Sequence, residues 1–542
     1  MSFKGFIKSR SFAYGSRSVA ITALVITAII IFNVIFSALA AKFTWYVDLT
    51  KEGIYTLSDN CKTLLDNTFE NLTAEREKNN EEPLKVKIKF CDLEDNVMEN
   101  TTQRYVLMTA KELADRYPDI IEIEFINIWE NPTAVEKYKT SVLTAIYQTH
   151  VIIESGSEYR AYDISRFYLT NSGSTTPWAY FGEKRFTSGI LAVTQAESPV
   201  AAVLTGHGEI FTDTALIELL DLAGYNVITV KDLLKEELPD ECRLMISYNP
   251  TADFLDADGI SDISEIALID EFLAGNNHSF MVFMSPTSPT LPVLEKYLEL
   301  WGISYNRHDG KSTTVKDEDN ALTSDGITFM GEYVELGLGG SITKDLRSSS
   351  SPRKVVFKNA MPIKFAPEYM PTSIKDNDTG KTLIYGYKDL GSGFTREAYY
   401  IFESTEDAVA MSGGSEAFKA DANNKFGLMA ISRQYKAVQE DNYGISSADH
   451  SSYVLACGST EIVSKAFLES NTYGNSEVFL KVLYEMGKEN VPASLSIKPF
   501  ADTTIDTLTV DRANAYTITL AIIPTVLVFG IGIFVIVRRK YS

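Results

Sequence analysis

The 542-residue chain is poor in the side chains that carry most metal and thiol chemistry, with four cysteines and five histidines. Cys61, Cys91, Cys242 and Cys457 are scattered, with no CxxC pair and no metal-binding spacing. An oxidising location would permit a Cys61–Cys91 disulfide, but buried free thiols are the favoured reading. His150, His278, His308 and His450 have no zinc spacing, and HExxH is absent. There is no GxSxG nucleophile elbow, no GxxxxGK[ST] loop to bind a nucleotide triphosphate, and no GxGxxG. No metal and no cofactor is therefore expected. Basic residues are in deficit as well: 50 Lys and Arg face 72 Asp and Glu, a net charge of −22. That balance argues against nucleic acid and against docking on anionic lipid.

Charge is missing locally from two stretches. Val19–Ala41 and Tyr516–Val537 hold no Asp, Glu, Lys or Arg. At 1.5 Å per residue the first would span roughly 35 Å, enough to cross a bilayer. Pro524 in the second is tolerated in a membrane helix. Lys4, Lys8, Arg10 and Arg17 precede the first stretch, and Arg538, Arg539 and Lys540 follow the second. The positive-inside rule makes residues 1–18 and 538–542 cytoplasmic tails. Residues 42–515 then hold all 72 acids against 43 Lys and Arg, a net of −29, outside the membrane. A cleaved signal peptide ending near Ser37-Ala-Leu-Ala-Ala41 is the rival to an uncleaved first anchor.

The chain is organised around Pro199–Glu209. Val200–Leu204 is an unbroken apolar run too short for a buried helix, and it reads as a strand buried on both faces. Leu216, Ile217, Leu219, Leu220 and Leu222 then recur at helical spacing. Thr212 or Asp213 is placed to cap that helix and Gly224 to close it. In open α/β sheets ligands and partners meet the turns at the carboxyl ends of strands. Thr205, Gly206, His207, Gly208 and Glu209 are therefore the candidate ligand- or partner-binding residues. His207 with Glu209 has the make-up of a proton-transfer pair; the favoured alternative is a glycine-shaped turn within which His207 hydrogen-bonds.

Upstream, Ser58 is placed to cap a helix from Asn60 to Leu72. Leu84–Phe90 and Ile120–Ile128 alternate as strands, with a helical pattern over Thr101–Tyr117 between them. Val151–Tyr162 is a hairpin around Ser-Gly-Ser. The order βαβ then hairpin predicts a thioredoxin-like domain over 42–180. A helix over Phe181–Thr194 leads into the central strand. Strands at Asn226–Val230, Arg243–Ser247 and Ser279–Met284 alternate with helices at Ser264–Leu273 and Leu291–Trp301. This predicts a doubly wound, mostly parallel Rossmann- or flavodoxin-like domain over 181–510. Residues 310–425 are expected as a loop-rich insertion, with strands at Val355–Phe357 and Thr382–Tyr387. Lys311–Ser324 and Ser341–Arg353 are polar and expected as loops, as is the acidic run Asp253–Asp262. The fold class is thus α/β, a membrane-anchored ectodomain flanked by transmembrane helices at 19–41 and 516–537.

Several of these patches, in order, resemble one family. "LTGHGE" in the central strand-turn is similar to that of the GldG family, auxiliary components of ABC-2-type transporters associated with gliding motility. "DLT" and "YTLS" at 48–58 resemble its segment above the bilayer. "GE…TSGIL" at 182–191 resembles its "GE…TSAIL" helix, with Gly189 where alanine is usual. "YVLACGST" at 453–460 has GST where an acidic GDS is common. The resemblance implies a non-enzymatic subunit in a bacterial plasma membrane. Its partners would be an ABC-2-type permease, a separate cytoplasmic ATPase, membrane lipid and an extracellular polymer or protein cargo. The alternatives are a membrane-tethered hydrolase using His207 and Glu209, or a stand-alone surface binding protein.

Overall fold

The computed structural model describes residues 23–24, 27–32, 34–35 and 53–500, except 140–142, 171–173, 196–197, 210–214, 258–262, 349–351, 376–381, 441–443, 471, 489–490, 493–494 and 496. Among the described residues no helix is long and apolar enough to cross a membrane. The segment 516–537 lies outside the described residues, as does most of 19–41 and the capping pair Thr212 and Asp213.

The chain is mixed α/β, with parallel and antiparallel sheets. Its first part opens with α1 (Asp59–Asn79), where the Ser58 hydroxyl accepts from the Cys61 amide at 3.2 Å as anticipated. Then come β1 (Val86–Phe90), α2 (Glu94–Glu99), α3 (Thr101–Arg116), β2 (Ile121–Phe125), β3 (His150–Ser155) and β4 (Glu158–Asp163). The sheet order is β2-β1-β3-β4, with β1 and β2 parallel and β3 and β4 antiparallel. Gly156, at φ +61°, supplies the left-handed residue that the β3–β4 turn requires. One sheet face buries Val86, Ile88 and Ile153 against Val106 and Leu107 of α3.

Two short strands, β5 (Tyr168–Thr170) and β6 (Pro177–Tyr180), lead to α4 (Gly182–Thr194), which is buried along its whole length. Next come β7 (Val200–Leu204), α5 (Ala215–Leu222), β8 (Asn226–Val230), β9 (Cys242–Tyr248), α6 (Glu265–Leu273), β10 (His278–Phe283) and α7 (Pro292–Leu300). β7 is buried on both faces because its side chains alternate between two cores. Ala201 and Val203 pack with Leu216 and Leu220 of α5, whereas Ala202 and Leu204 pack with Ile269 and Leu294 of α6 and α7.

Residues 310–425 depart from expectation. They carry β12 to β20, counting β11 (Ile303–Tyr305) as the strand before them, and one helix, α8 (Gly337–Arg347). In order the strands are β12 (Thr314–Lys316), β13 (Thr328–Tyr333), β14 (Val355–Lys358), β15 (Ile363–Phe365), β16 (Met370–Lys375), β17 (Thr382–Gly391), β18 (Phe394–Glu403), β19 (Val409–Ser412) and β20 (Ser415–Lys419). The polar stretches expected as loops pair over long distances instead. Thr314–Lys316 pairs with Val409–Met411 of β19 and buries Val315. α8 overlaps the expected loop at 341–353: Gly339 comes so close to β18 that a Cβ there would lie 2.1 Å from the Tyr400 carbonyl oxygen. Tertiary partners override local polarity at both places.

A long hairpin follows, β21 (Gly427–Glu440) and β22 (Gly444–Cys457). After it come α9 (Lys465–Leu468), α10 (Asn475–Gly487) and β23 (Lys498–Pro499). The large sheet runs β14-β13-β18-β21-β22-β10-β9-β7-β8, parallel from β22 to β8 and antiparallel from β22 to β14. All four cysteines are buried free thiols, so Cys61 and Cys91 are not paired.

Candidate functional site

The central turn points its side chains inward and its glycines outward. Thr205 is half-buried, Gly206 and Gly208 are exposed, and His207 and Glu209 are buried. The His207 ring stacks on Phe254 with centroids 3.7 Å apart and 14° between planes. Its Nε2 lies 3.1 Å from Oε2 of Glu265, the first residue of α6, and its Nδ1 lies 3.4 Å from Oε1 of Glu209, outside hydrogen-bond geometry. The other Glu209 oxygen accepts the His207 amide at 2.7 Å, and the Ser247 hydroxyl donates to Glu209 Oε1 at 3.0 Å. Glu265 Oε2 also accepts the Leu255 amide at 2.8 Å. The His207 carbonyl accepts the amides of Thr251 and Ala252.

Burial alone would lower the His207 pKa, but the Glu209 and Glu265 carboxylates outweigh it and hold the imidazole above its ordinary value. Burial would raise the Glu209 carboxyl, yet His207 and the backbone donors hold it below the usual range. The result is an imidazole ring held between two carboxylates, which fastens the β7 turn to the 249–255 loop and α6. Both glycines are required by space. A Cβ on Gly206 would lie 2.3 Å from the Lys231 carbonyl oxygen, and Gly208 has φ +74° with Thr251 Oγ1 2.1 Å from a Cβ. Asp253 of the acidic run, expected in a solvated loop, instead accepts the Val293 and Leu294 amides and caps α7.

A second buried charge cluster has no counterpart among the candidate site residues. α4 begins Gly182-Glu-Lys-Arg, and all three charged side chains are buried. Glu183 Oε1 accepts the amide of Ser58 at 2.9 Å and also its hydroxyl. Glu183 Oε2 pairs with Lys498 of β23 at 2.5 Å. The Lys498 ammonium also donates to the Gly53 and Thr56 carbonyls at 2.9 and 2.5 Å. β23 pairs with β6, and the Phe500 amide donates to the Trp178 carbonyl. Around this knot Tyr55, Tyr105, Tyr168, Tyr180 and Phe500 form a chain of ring contacts. Lys184 is wholly enclosed; burial holds its amine below the ordinary value, opposed by Glu477 and reinforced by Arg353. Arg185 bridges to Asp221 of α5 at 2.7 Å. The sequence signals for Glu183 are its place in the "GE…TSGIL" patch and an acid in the first turn of a helix, which normally means a dipole contact. Its ion-pair partner lies at the far end of the chain.

Two grooves bracket α4. One of about 670 Å³ is lined by the β3–β4 turn, the carboxyl end of α4, Pro199, Arg243 and Lys488. The other, about 250 Å³, is lined by Phe181, Ala215, Leu219, Leu468, Ser476 and Ile497. Among the described residues no group of His, Cys, Asp and Glu could hold a metal ion. The sequence matches no protein-family model and no curated protein.

Proposed function

We propose that the protein is a non-enzymatic auxiliary subunit of an ABC-2-type transporter, held in a bacterial plasma membrane by helices at 19–41 and 516–537. Both tails are cytoplasmic and residues 42–515 extracytoplasmic. The observation that carries this reading is the Glu183 knot. Gly53–Ser58, which follows the first apolar stretch, and Lys498–Phe500, which precedes the second, are fastened to one another at one carboxylate. A two-anchor ectodomain needs its chain ends side by side, and the aromatic and basic residue types at 42–46 suit a membrane interface.

The finer fold follows the same proposal. The order β2-β1-β3-β4 with one parallel pair supports a thioredoxin-like domain, and β8-β7-β9-β10-β22 supports the flavodoxin-like order 2-1-3-4-5. At the switch point of that order, where a cofactor would bind, His207, Phe254 and Glu265 fill the crevice. A buried His207 held by Glu265 and stacked on Phe254 favours a structural turn over a hydrolase. The test is purification of the full chain from detergent-solubilised membranes. Recovery of a polytopic permease and a P-loop ATPase with it is expected; a protein that purifies alone at native abundance counts against the proposal.

A further inference from the structure

The geometry points to a docking face: the carboxyl edge of the parallel sheet, around the Thr205–Glu209 turn, faces the membrane and receives the extracytoplasmic surface of a polytopic membrane protein. This rests on the two-anchor reading above.

Direction along the molecule is set by α4. Its first turn holds both chain ends at Glu183. Midway, a Cβ on Gly189 would touch Ile153 of β3. Its last turn lines the larger groove with the β3–β4 turn, Ser155–Glu158. Thirteen helical residues rise about 20 Å. β7 starts beside that last turn, where the Ser198 hydroxyl donates to the Ala192 carbonyl, and runs back over five residues, about 17 Å. The two grooves agree with this polarity. The one at the far end of α4 is lined by Pro199, Glu241 and Arg243, at the amino ends of β7 and β9. The one beside the outgoing residue Ile497 is lined by Ala215 and Ser476, the starts of helices that follow carboxyl ends of strands. The carboxyl edge therefore lies on the side of the chain ends.

That edge exposes large apolar side chains among charged ones, Lys231, Lys235, Glu236 and Asp256. Leu255 is 52% exposed, Ile263 54%, Leu234 40% and Leu268 37%. Leu255 is joined to α6 through the Glu265 and Ile266 amides, which donate to its carbonyl. Gly206 and Gly208 present bare backbone beside it. Apolar surface held toward a membrane needs either lipid or protein. The net charge of −29 between the apolar stretches repels anionic headgroups, so the occupant is a membrane protein offering apolar and basic side chains. The polar groove at the far end is left facing away from the membrane.

Two measurements on the full chain test this. First, a fluorophore is attached to a cysteine at Leu255 or at Ser157, in the β3–β4 turn, after reconstitution into phosphatidylcholine vesicles with headgroup-quencher lipid. Leu255 is expected to be quenched several-fold more than Ser157; equal quenching, or the reverse, overturns the orientation whether or not a partner exists. Second, a photo-crosslinking residue is placed at each position in cells. A Leu255 adduct with a polytopic membrane protein is expected. Leu255→Asp is expected to lower recovery of that protein about tenfold with an unchanged melt. Adducts to lipid alone, or to the partner from Ser157 and not Leu255, overturn the docking face. Absence of any partner from the unsubstituted chain overturns the transporter reading instead, and the docking face with it, while the quenching result stands.

Discussion

Two of the buried carboxylate clusters among the described residues, the His207 clamp and the Glu183 knot, differ in reach. The His207 clamp joins three pieces of one domain: a turn, the loop after β9, and the start of α6. The Glu183 knot joins segments that lie at opposite ends of the chain. Both bury charge, and both satisfy it with an opposite charge and with backbone groups, the condition under which buried charge is tolerated. The clamp holds a local shape. The knot holds a topology, because it decides that the incoming and outgoing chains leave from one place.

The comparison can be broken first at the knot. Glu183→Gln leaves the Lys498 ammonium enclosed without its counter-charge, and removing one partner of a buried pair costs about 3–5 kcal/mol. A lowered melt and early proteolysis after residue 490 are expected. Lys498→Met added to Glu183→Gln is expected to recover part of the loss, as coupled neighbours do; simple additivity would deny the coupling.

The clamp comes next. His207→Ala removes the ring between two buried carboxylates and is expected to cost about 2–4 kcal/mol, more than the hydrogen bond alone would. Thermal melts of the full chain check it. His207→Gln, which keeps a donor, is expected to cost less. A His207→Ala protein that melts normally and yet loses transport would make His207 a functional residue. Gly206→Ala is expected to cost about 2 kcal/mol, since its Cβ meets a backbone carbonyl that side-chain rotation cannot clear.

The clamp also predicts a pH window. His207 has a raised pKa, so its contribution is complete below about pH 6.5 and is lost as pH rises through the folded value. Glu209 has a depressed pKa, so its contribution is complete above about pH 4.5 and is lost as pH falls through its folded value. Stability from this pair is expected to peak between those limits in melts against pH, and the peak is expected to vanish in the His207→Ala, Glu209→Gln double variant. The smallest effect concerns Gly189. Alanine there gains helix propensity, about 1 kcal/mol, but its Cβ meets the Ile153 Cδ1 at 2.4 Å. The melt is expected to move by less than about 1 kcal/mol, and a large loss would show that Ile153 cannot turn aside.

Local pattern carried much of this. Unbroken apolar residues marked β7 as doubly buried because helices cover both faces of a parallel sheet. Alternation marked β1, β2 and the β3–β4 hairpin, helical spacing marked α3 to α7, and Ser58 and Gly224 marked helix ends. Two glycines around His207 announced a tight turn, and its chemistry was limited from the start to one imidazole and one carboxylate. What pattern could not carry is whatever depends on partners far along the chain. Residues 310–425 are polar and irregular one by one, yet they are strands because β18 and β21 offer edges to pair with. Glu265 and Phe254, which complete the clamp, sit in a stretch that reads as helix start and acidic loop. Lys498 has no periodic neighbour that would tie it to Glu183. Secondary structure follows from forces between residues a few positions apart, which the order of amino acids displays directly. The burial that turns three acids, a histidine and a lysine into a clamp and a knot exists only after the sheets have packed.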